Sequence, residues 1–241
     1  MIILPAIDIK DGQCVRLYQG DYAQVTTYDK NPVRVAQRWQ EAGASWLHVV
    51  DLDGAASGQP VNLDLIARMR AATTLHIEVG GGMRSLAHIK RMLDTGIERV
   101  ILGTIALTDR ALLQEALERW GERIAVGLDA RNGQVAISGW RETSRVQATE
   151  LANELSMLGV QRFIYTDIAR DGALQGPNLA ALQEMQQAIQ NTGASLIASG
   201  GVSSLADLRA IAALGVEGAI VGKALYTGDV DLAGATAECE R

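Results

Sequence analysis

Short apolar runs alternate with amphipathic stretches along the whole chain. Each apolar run is hydrophobic at nearly every position, which is typical of strands that are buried on both faces of a parallel sheet. The amphipathic stretches between them have the pattern of helices that bury one face. The pattern predicts eight strands, at residues 2–8, 46–51, 75–79, 99–102, 124–129, 162–167, 195–198 and 218–221.

Residues typical of helix ends bound the stretches between these strands. One predicted helix begins at Pro32 and stops at Gly43, and two others begin at Ser85 and Ser204 and also stop at a glycine. Proline and serine favour the first turn of a helix and glycine favours its end. Further helices are predicted at about 63–71, 109–120, 145–158 and 178–190, with a weaker one after residue 229.

Strict alternation of eight strands with eight helices implies parallel strands that are joined by crossover helices. The length of 241 residues is close to the roughly 250 residues typical of a (β/α)8 barrel. We therefore expect an α/β fold, a (β/α)8 TIM barrel that forms a single domain over residues 1–241. An open, doubly wound parallel sheet is the alternative that the same pattern allows.

The two halves of the chain resemble each other. Asp8 and Asp129 each follow a short apolar run, and each is followed after three residues by Gly-Gln. The segment "GGMRSL" beginning at Gly81 corresponds to "GGVSSL" beginning at Gly200. Further matches keep the same order, which indicates an internal repeat of two half-barrels, residues 1–121 and 122–241.

The repeat places two carboxylates at the ends of strands on opposite walls of the predicted barrel. Function in this fold lies at the C-terminal ends of the strands, where Asp8 ends the first strand and Asp129 ends the fifth. Two such groups can act as acid and base when their surroundings separate their pKa values. Alternatively, each aspartate only begins a turn, although the Asp-Gly and Asn-Gly turn signals three residues later explain those later positions better.

Glycine-rich turns follow four of the predicted strands, as "VGGGMRS", "LGTIAL", "ASGGVSS" and "VGKALY". Glycine lets a backbone approach a ligand closely, and a helix N-terminus presents free N–H groups. We expect two phosphate sites and a ligand with a phosphate at each end; the alternative is that the glycines only serve tight turns. The predicted contacts are Gly81, Gly82, Arg84, Gly103 and Thr104 in the first half, and Gly200, Gly201, Ser203, Gly222 and Lys223 in the second.

Other polar residues near strand ends are weaker candidates, each as consistent with a structural role as with a functional one. Thr166 ends the sixth strand and Asp171-Gly172 follow it, while Arg16 could reach over the mouth and Trp140 could stack on a flat ring.

The three histidines show no metal-ligand spacing, so we expect no metal site. His48 and His76 lie within predicted strands and are interpreted as core or bottom-face residues. His88 is interpreted as an outward-facing helix residue.

The composition narrows the classes of function. A formal net charge of −6 argues against a nucleic-acid partner, because phosphate backbones require basic surfaces. The N-terminus lacks a basic n-region, and no segment approaches the roughly 20 apolar residues of a membrane span. Cys14 and Cys239 have no metal-ligand spacing and are expected to be free thiols. We expect a soluble cytoplasmic protein without a membrane partner.

The motifs together resemble the half-barrel-repeat family of histidine biosynthesis. The segments "PAIDIKDGQCVRLYQGDY", "LHVVDLDGA", "VGGGMRS", "LDARNGQVAISGW" and "YTDIARDGALQGPN" are similar to the phosphoribosylformimino-5-aminoimidazole carboxamide ribotide isomerases, and the resemblance runs from residue 1 to about 228. It implies an Amadori rearrangement of an aminoaldose with a phosphate at each end into an aminoketose, without a metal or organic cofactor. By that resemblance Asp8 would be the general base at C2 of the sugar, Asp129 the general acid for ring opening, and Thr166 a hydrogen-bond partner near the reacting sugar.

Three alternatives stay open. The related cyclase shares the repeat, both aspartates and both phosphate sites, but its first strand usually reads Cys-Leu-Asp where this chain has Ala6-Ile7-Asp8. A dual-substrate isomerase that also acts in tryptophan synthesis tends to carry Arg before Gly-Trp, where this chain has Ser138. The third alternative is a barrel that binds a phosphosugar without catalysis. The carboxylates of Asp8 and Asp129 argue against it, because added negative charge does not help to bind a phosphate dianion. We expect a monomer that uses the histidine-pathway substrate alone.

Overall fold

The computed structural model describes residues 1–137, 139–140 and 142–240. Within these residues, twelve strands lie in one sheet. Their bounds are β1 Ile2–Lys10, β2 Gln13–Tyr18, β3 Asp21–Asp29, β4 Trp46–Asp51, β5 His76–Gly80, β6 Arg99–Leu102, β7 Ile124–Arg131, β8 Gln134–Ile137, β9 Glu142–Gln147, β10 Arg162–Asp167, β11 Ser195–Ser199 and β12 Gly218–Val221.

Eight of these strands close into a parallel barrel. Around the ring their order is β1, β4, β5, β6, β7, β10, β11 and β12, and every neighbouring pair is parallel. The pairing of β10 with β7 completes the ring, which confirms the predicted (β/α)8 barrel and excludes the open sheet. Since β1 and β7 are equally far apart in both directions around the ring, they form opposite walls.

Helices connect the barrel strands and cover their outer face. No helix in the described part of the chain is long and apolar enough to cross a membrane. The helices are α1 Pro32–Glu41, α2 Leu52–Ser57, α3 Leu63–Ala71, α4 Leu86–Leu93, α5 Thr104–Thr108, α6 Arg110–Trp120, α7 Ala148–Met157, α8 Leu179–Ile189, α9 Leu205–Ala212, α10 Lys223–Thr227 and α11 Leu232–Cys239, with a 3₁₀ turn at Gly121–Arg123.

Most predicted helices are confirmed, but the helix expected at residues 145–158 begins later, at Ala148. The preceding residues form β9, which pairs with β8 in the register Ala136 to Thr143. The ladder therefore supplies partners for this backbone, and β-branched residues such as Thr143 and Val146 favour that extended state. The short helices α2, α5 and α10 were not predicted.

Two antiparallel extensions rise from the mouth of the barrel. β2 folds back on β1, and β8 folds back on β7. The turns are at Asp11-Gly12, with φ of 50° and 71°, and at Asn132-Gly133, with φ of 52° and 78°. Asp-Gly and Asn-Gly suit such turns because both central residues need a positive φ. The turn signals predicted these reversals, but not the strands that extend from them.

The buried hydrophobic residues form two layers and a third, smaller cluster around Leu17. The larger layer lies between the strands and the helices and includes Ile7, Phe163 and Val126. A smaller cluster inside the barrel is built around Leu4 and Ile164. The inner cluster packs the barrel interior below the mouth, as expected for this architecture.

Matching positions in the two halves make matching contacts. The Asp51 carboxylate accepts a hydrogen bond of 2.8 Å from the side-chain amide of Asn62, eleven residues later. The Asp167 carboxylate accepts a hydrogen bond of 2.7 Å from the side-chain amide of Asn178, also eleven residues later. These contacts support our proposal that residues 1–121 and 122–241 are repeated half-barrels.

Candidate active site

A cavity of about 260 Å³ lies at the C-terminal ends of the barrel strands. Asp8 of β1, Asp129 of β7 and Thr166 of β10 all line it, and Thr166 lies beside Asp129 in the sheet register. A smaller cavity of about 20 Å³ adjoins it. Four residues line both cavities and form the wall between them, namely Arg16, Asp171, Ser199 and Ile220.

Asp8 is buried beside a cation. Nη1 of Arg16 donates a hydrogen bond of 2.9 Å to Oδ1 of Asp8. Burial raises the pKa of Asp8, and this effect is larger than the lowering by the Arg16 charge. A carboxylate with a raised pKa is a stronger base, while the adjacent cation favours its ionised form.

Arg16 connects the first mouth extension to the opposite side of the site. Its Nη2 lies 3.5 Å from Oδ1 of Asp171. A Cβ atom added at Gly222 would lie 2.5 Å from the same Nη2, so glycine there makes room for the guanidinium. Burial opposes the charge, but Asp8 and Asp171 raise the pKa of Arg16. Its buried Nε has no hydrogen-bond partner among the described residues.

Asp129 contacts neutral donors. The indole Nε1 of Trp140 donates a hydrogen bond of 2.7 Å to Oδ2 of Asp129. Burial raises the pKa of Asp129, while the Trp140 indole and the Thr166 hydroxyl lower it by hydrogen bonding. Because the largest effect is burial, this carboxyl group is suited to hold a proton at a higher pH than an exposed aspartate.

The two mouth extensions meet above the cavity. The six-membered ring of Trp140 lies directly against Gly20, where β2 turns into β3, and a Cβ atom at Gly20 would overlap it. Gly20 has a φ of 74°, which glycine adopts without steric cost. The contact covers part of the site from above, which suits an active site that limits the access of water.

Replacing Trp140 with Phe should keep an aromatic ring over the site and remove the N–H donor. Loss of a hydrogen bond to the ionised carboxylate raises the pKa of Asp129 further. The limb of the pH profile of kcat/KM that belongs to Asp129 should therefore move to higher pH. Trp120→Phe, on an outer helix, is the control and should leave the profile unchanged; an unchanged profile in the Trp140 variant would contradict the assignment.

The glycine loops bring two backbone segments to the edges of the cavities. Gly81 has a φ of 110°, and a Cβ atom there would collide with the carbonyl oxygen of Asp51. Gly201 has a φ of 87°, and a Cβ atom there would collide with the carbonyl oxygen of Gly176. Both glycines are thus required by the turn itself, and they also let the backbone face a ligand. The two interpretations given for these motifs are therefore compatible.

Most of the predicted site residues come together at the two cavities. In the first half, the Arg84 guanidinium lies against Gly58, and in the second, Nζ of Lys223 donates to the carbonyl of Gly172 at 3.1 Å. The large cavity is lined by Asp8, Arg16, Gly81, Gly82, Arg84, Gly103, Thr104, Asp129, Trp140, Thr166 and Asp171, and the small one by Arg16, Asp171, Gly172, Gly200, Gly201, Gly222 and Lys223.

Ser203 is placed differently from the other predicted contacts. Its N–H and its hydroxyl donate hydrogen bonds of 2.9 and 2.8 Å to Oδ2 of Asp207. Asp207 belongs to the capping box of α9, so Ser203 contributes to the start of that helix. Its contact with phosphate stays a prediction.

His48 was missed as a site residue, because its interpretation as a core or bottom-face residue was wrong. It lines the large cavity together with the two aspartates. The signal that could have identified it is the alternation in β4, which turns Trp46, His48 and Val50 to the same side. His76 does lie at the bottom, at the start of β5. His88 does not face freely outward, since its Nδ1 lies 3.2 Å from the carbonyl oxygen of Gly82.

Comparison with known proteins identifies the family. The model of a family described as "Histidine biosynthesis protein" matches residues 2–231. A protein from Chloroflexus aggregans is 53% identical over 96% of this chain and 95% of its own length. One from Gloeobacter violaceus is 54% identical over 97% and 91%, and one from Listeria welshimeri is 50% identical over 98% and 97%. All three are named 1-(5-phosphoribosyl)-5-((5-phosphoribosylamino)methylideneamino) imidazole-4-carboxamide isomerase.

The similarity extends over the whole barrel, including both halves of the site. The matched residues contain the strand ends that carry Asp8 and Asp129 and all four glycine-rich turns. The chain belongs to the histidine biosynthesis protein family.

Proposed function

We propose that the mouth cavity converts phosphoribosylformimino-5-aminoimidazole carboxamide ribotide, an aminoaldose, into its aminoketose by an Amadori rearrangement. The protein is an isomerase of histidine biosynthesis, as the names of its relatives and its family indicate. The names of the relatives contain two phosphoribosyl groups, which agrees with a ligand that has a phosphate at each end.

The observation that carries the proposal is the placement of two carboxyl groups on opposite walls of one cavity. Asp8 and Asp129 come from β1 and β7, and burial raises the pKa of both. An aldose-to-ketose rearrangement needs an acid to open the sugar ring and a base to remove the C2 proton. Two carboxyl groups that face one substrate from opposite sides meet that requirement.

The neighbours of each aspartate support an assignment of roles. Asp8 contacts the Arg16 cation, which favours the ionised form and suits a base that takes the proton from C2. Asp129 contacts the neutral donors Trp140 and Thr166 and suits an acid that protonates the ring oxygen. After deprotonation, the same two neutral donors stabilise the carboxylate that remains.

The two glycine-rich regions suit the ends of the substrate. One lies at residues 81–84 beside Gly103 and Thr104, and the other at Gly200 and Gly201 beside Gly222 and Lys223. Backbone N–H groups in such loops bind phosphate well. Because the Arg16–Asp171 ion pair is part of the wall between the two cavities, we expect it to rearrange when a substrate spans both.

Inorganic phosphate should therefore occupy two separate sites. A crystal of the protein soaked in phosphate should show one ion at residues 81–84 and another at residues 200–201. Arg84→Ala should empty the first site and leave the second filled, because Arg84 lines only the large cavity. A wild-type crystal with a single occupied site would contradict the ligand with two phosphates.

A turnover assay tests the function directly. The purified protein is mixed with the imidazole carboxamide aminoaldose, and formation of the aminoketose is followed beside a parallel reaction with the anthranilate-pathway aminoaldose. We expect turnover of the first substrate alone. Turnover of both would indicate the dual-substrate isomerase, whose distinguishing position, Ser138, lies outside the described residues. Binding without turnover would favour the cyclase or a non-catalytic binder.

We further propose that the protein acts in the cytoplasm as a monomer. All the predicted catalytic residues come from one barrel, so a single chain suffices for the proposed chemistry. Sedimentation at working concentration tests this, and a dimer would contradict it.

A further inference from the structure

A network of ion-paired side chains crosses the interior of the barrel. Glu78 of β5 is fully buried, and its Oε2 lies 3.3 Å from Nη1 of Arg99 of β6. Arg99 lies 3.3 Å from Glu217, whose carboxylate lies 2.7 Å from Nε of Arg162. The Arg99 guanidinium also stacks over the ring of Trp46, 3.7 Å from its centre. These contacts leave the Glu78 carboxylate little freedom to move.

His48 connects this network of ion pairs to the mouth cavity. Nδ1 of His48 lies 2.8 Å from Oε1 of Glu78, and the two residues are neighbours in the register of β4 and β5. His48 lines the cavity with Asp8 and Asp129. When His48 is protonated, its charge lowers the pKa of both aspartates, so the ring is within electrostatic reach of each.

The proposed isomerisation moves four protons on the substrate. The ring oxygen gains one, C2 loses one, C1 gains one and the C2 hydroxyl loses one. Asp129 donates the first, and Asp8 can take the proton from C2 and return it to C1. The proton of the C2 hydroxyl remains without an assigned acceptor. A basic group in the cavity wall between the two aspartates could accept this proton.

We propose that His48 is a further catalytic residue, whose Nε2 takes the proton of the C2 hydroxyl, and that Glu78 is the residue that positions it. This inference rests on the proposed function, since it concerns the same substrate at the same site. Glu78 accepts the hydrogen bond from Nδ1–H, so that the neutral ring presents Nε2 as an acceptor toward the cavity. A carboxylate in that position also stabilises the imidazolium that forms.

The step is balanced in protons and electrons. In the enaminol intermediate, the O–H bond at C2 breaks and its electron pair forms the carbonyl double bond. The electrons of the C1–C2 double bond take the proton held by Asp8, which forms the new C1–H bond. The hydroxyl proton passes to Nε2 of His48 and from there to Asp129, which replaces the proton that Asp129 gave to the ring oxygen.

Three variants test the roles of the ring and the carboxylate. His48→Asn keeps a donor toward Glu78 but has no base at the position of Nε2, and its kcat should fall about 10²-fold with little change in KM. In Glu78→Gln the side-chain amide donates to Nδ1 of His48 and so favours the tautomer with its proton on Nε2. That tautomer has no free Nε2 acceptor, so kcat should fall at least about 10-fold. Glu78→Asp retains a carboxylate and should be more active than Glu78→Gln.

A second Glu–His pair, at the other end of the barrel, provides the matched control. Oε1 of Glu98 lies 3.4 Å from Nδ1 of His76, at the end of β5 that faces away from the cavity. Glu98→Gln removes the same charge beside a histidine and should leave kcat and KM unchanged. Wild-type kcat in His48→Asn, or an equal loss in Glu98→Gln, would overturn the proposal.

Nitrogen NMR of the histidine rings gives a readout that does not depend on activity. The chain has 3 histidines, so the ring signals can be assigned by substitution. Neutral His48 in the wild-type protein should carry its proton on Nδ1, and in Glu78→Gln the proton should move to Nε2. A wild-type ring protonated only on Nε2 would overturn the role of Glu78, even if the variants fold poorly.

The wild-type assay separates this inference from the proposed function. If the wild-type protein does not isomerise the imidazole carboxamide aminoaldose, the proposed function fails and His48 loses this role with it. If the wild type turns over and His48→Asn matches it, the proposed function stands and only the role of His48 is overturned.

Discussion

Asp8→Asn and Asp129→Asn should each reduce turnover by about 10³-fold, because each removes a group that transfers a proton in the proposed rearrangement. Both variants should still bind the bisphosphorylated substrate, since the glycine loops that hold its ends are untouched. Steady-state kinetics and a ligand titration by calorimetry measure the two effects separately. Asp231→Asn, at an exposed helix cap, is the control and should keep wild-type turnover.

The Asp129 variant should also be more stable than the wild-type protein at neutral pH. Burial raises the pKa of Asp129, so folding favours its protonated form. The associated stability is fully present below the unfolded pKa, near 3.8, and is lost as the pH rises through the higher folded value. The amide introduced by Asp129→Asn carries no charge to bury, and its oxygen can still accept the bond from Trp140.

Thermal unfolding at pH 7 and at pH 3 measures this effect. We expect the melting temperature of Asp129→Asn to exceed that of the wild type at pH 7, and the difference to shrink toward pH 3. Lower stability together with lost activity would show that Asp129 has a structural role instead. Near-normal turnover in either aspartate variant would contradict the catalytic assignment.

Asp51→Ala should cause a large loss of stability. The fully buried Asp51 carboxylate accepts hydrogen bonds from three backbone N–H groups, those of Gly54, Val61 and Asn62, at 2.8 to 3.0 Å. It also accepts one of 2.8 Å from the side chain of Asn62. The Ala variant leaves these donors without their acceptor in a largely dry region, at a cost of about 3–5 kcal/mol.

Calorimetry and urea unfolding test the effect of this change. For a chain of this size the melting temperature should fall by roughly 10 °C. Asp51→Asn keeps the shape and one acceptor oxygen, so it should lose less. Asp231→Ala removes one exposed cap, the 2.8 Å bond from Gly234, and should cost only about 1 kcal/mol. Equal losses in the Asp51 and Asp231 alanine variants would contradict the account.

The barrel could be predicted from the sequence because strands buried on both faces leave a clear pattern. Runs such as residues 218–221 are apolar throughout, and the glycines and capping residues mark where each helix stops and starts. The strand β9 was missed because its sequence, "ETSRVQ", is mostly polar and exposed and shows only a weak alternation of polar and apolar residues. It forms a strand because it pairs with β8. Short segments of this kind depend on pairing more than on their own composition.

The site could be predicted only in part. The repeat pointed to Asp8 and Asp129 because matching positions imply opposite strands, and both do line the cavity. Arg16 was expected to reach over the mouth, but its contact with Asp171, more than a hundred residues away, depends on the closed barrel. His48 was misread because a lone histidine in an apolar strand does not reveal whether it faces the core or the cavity.

Hydrogen exchange in the aminoketose product tests the central claim, that Asp129 is the acid that opens the sugar ring and Asp8 is the base that moves the carbon-bound protons. The product is already open-chain, so removal of a proton from C1 needs the base but not the ring-opening acid. The product is incubated in D₂O with each protein, and loss of the C1 proton signal is followed by NMR. We expect exchange with the wild type and with Asp129→Asn, and none with Asp8→Asn. Exchange that persists in Asp8→Asn at the wild-type rate would contradict the account.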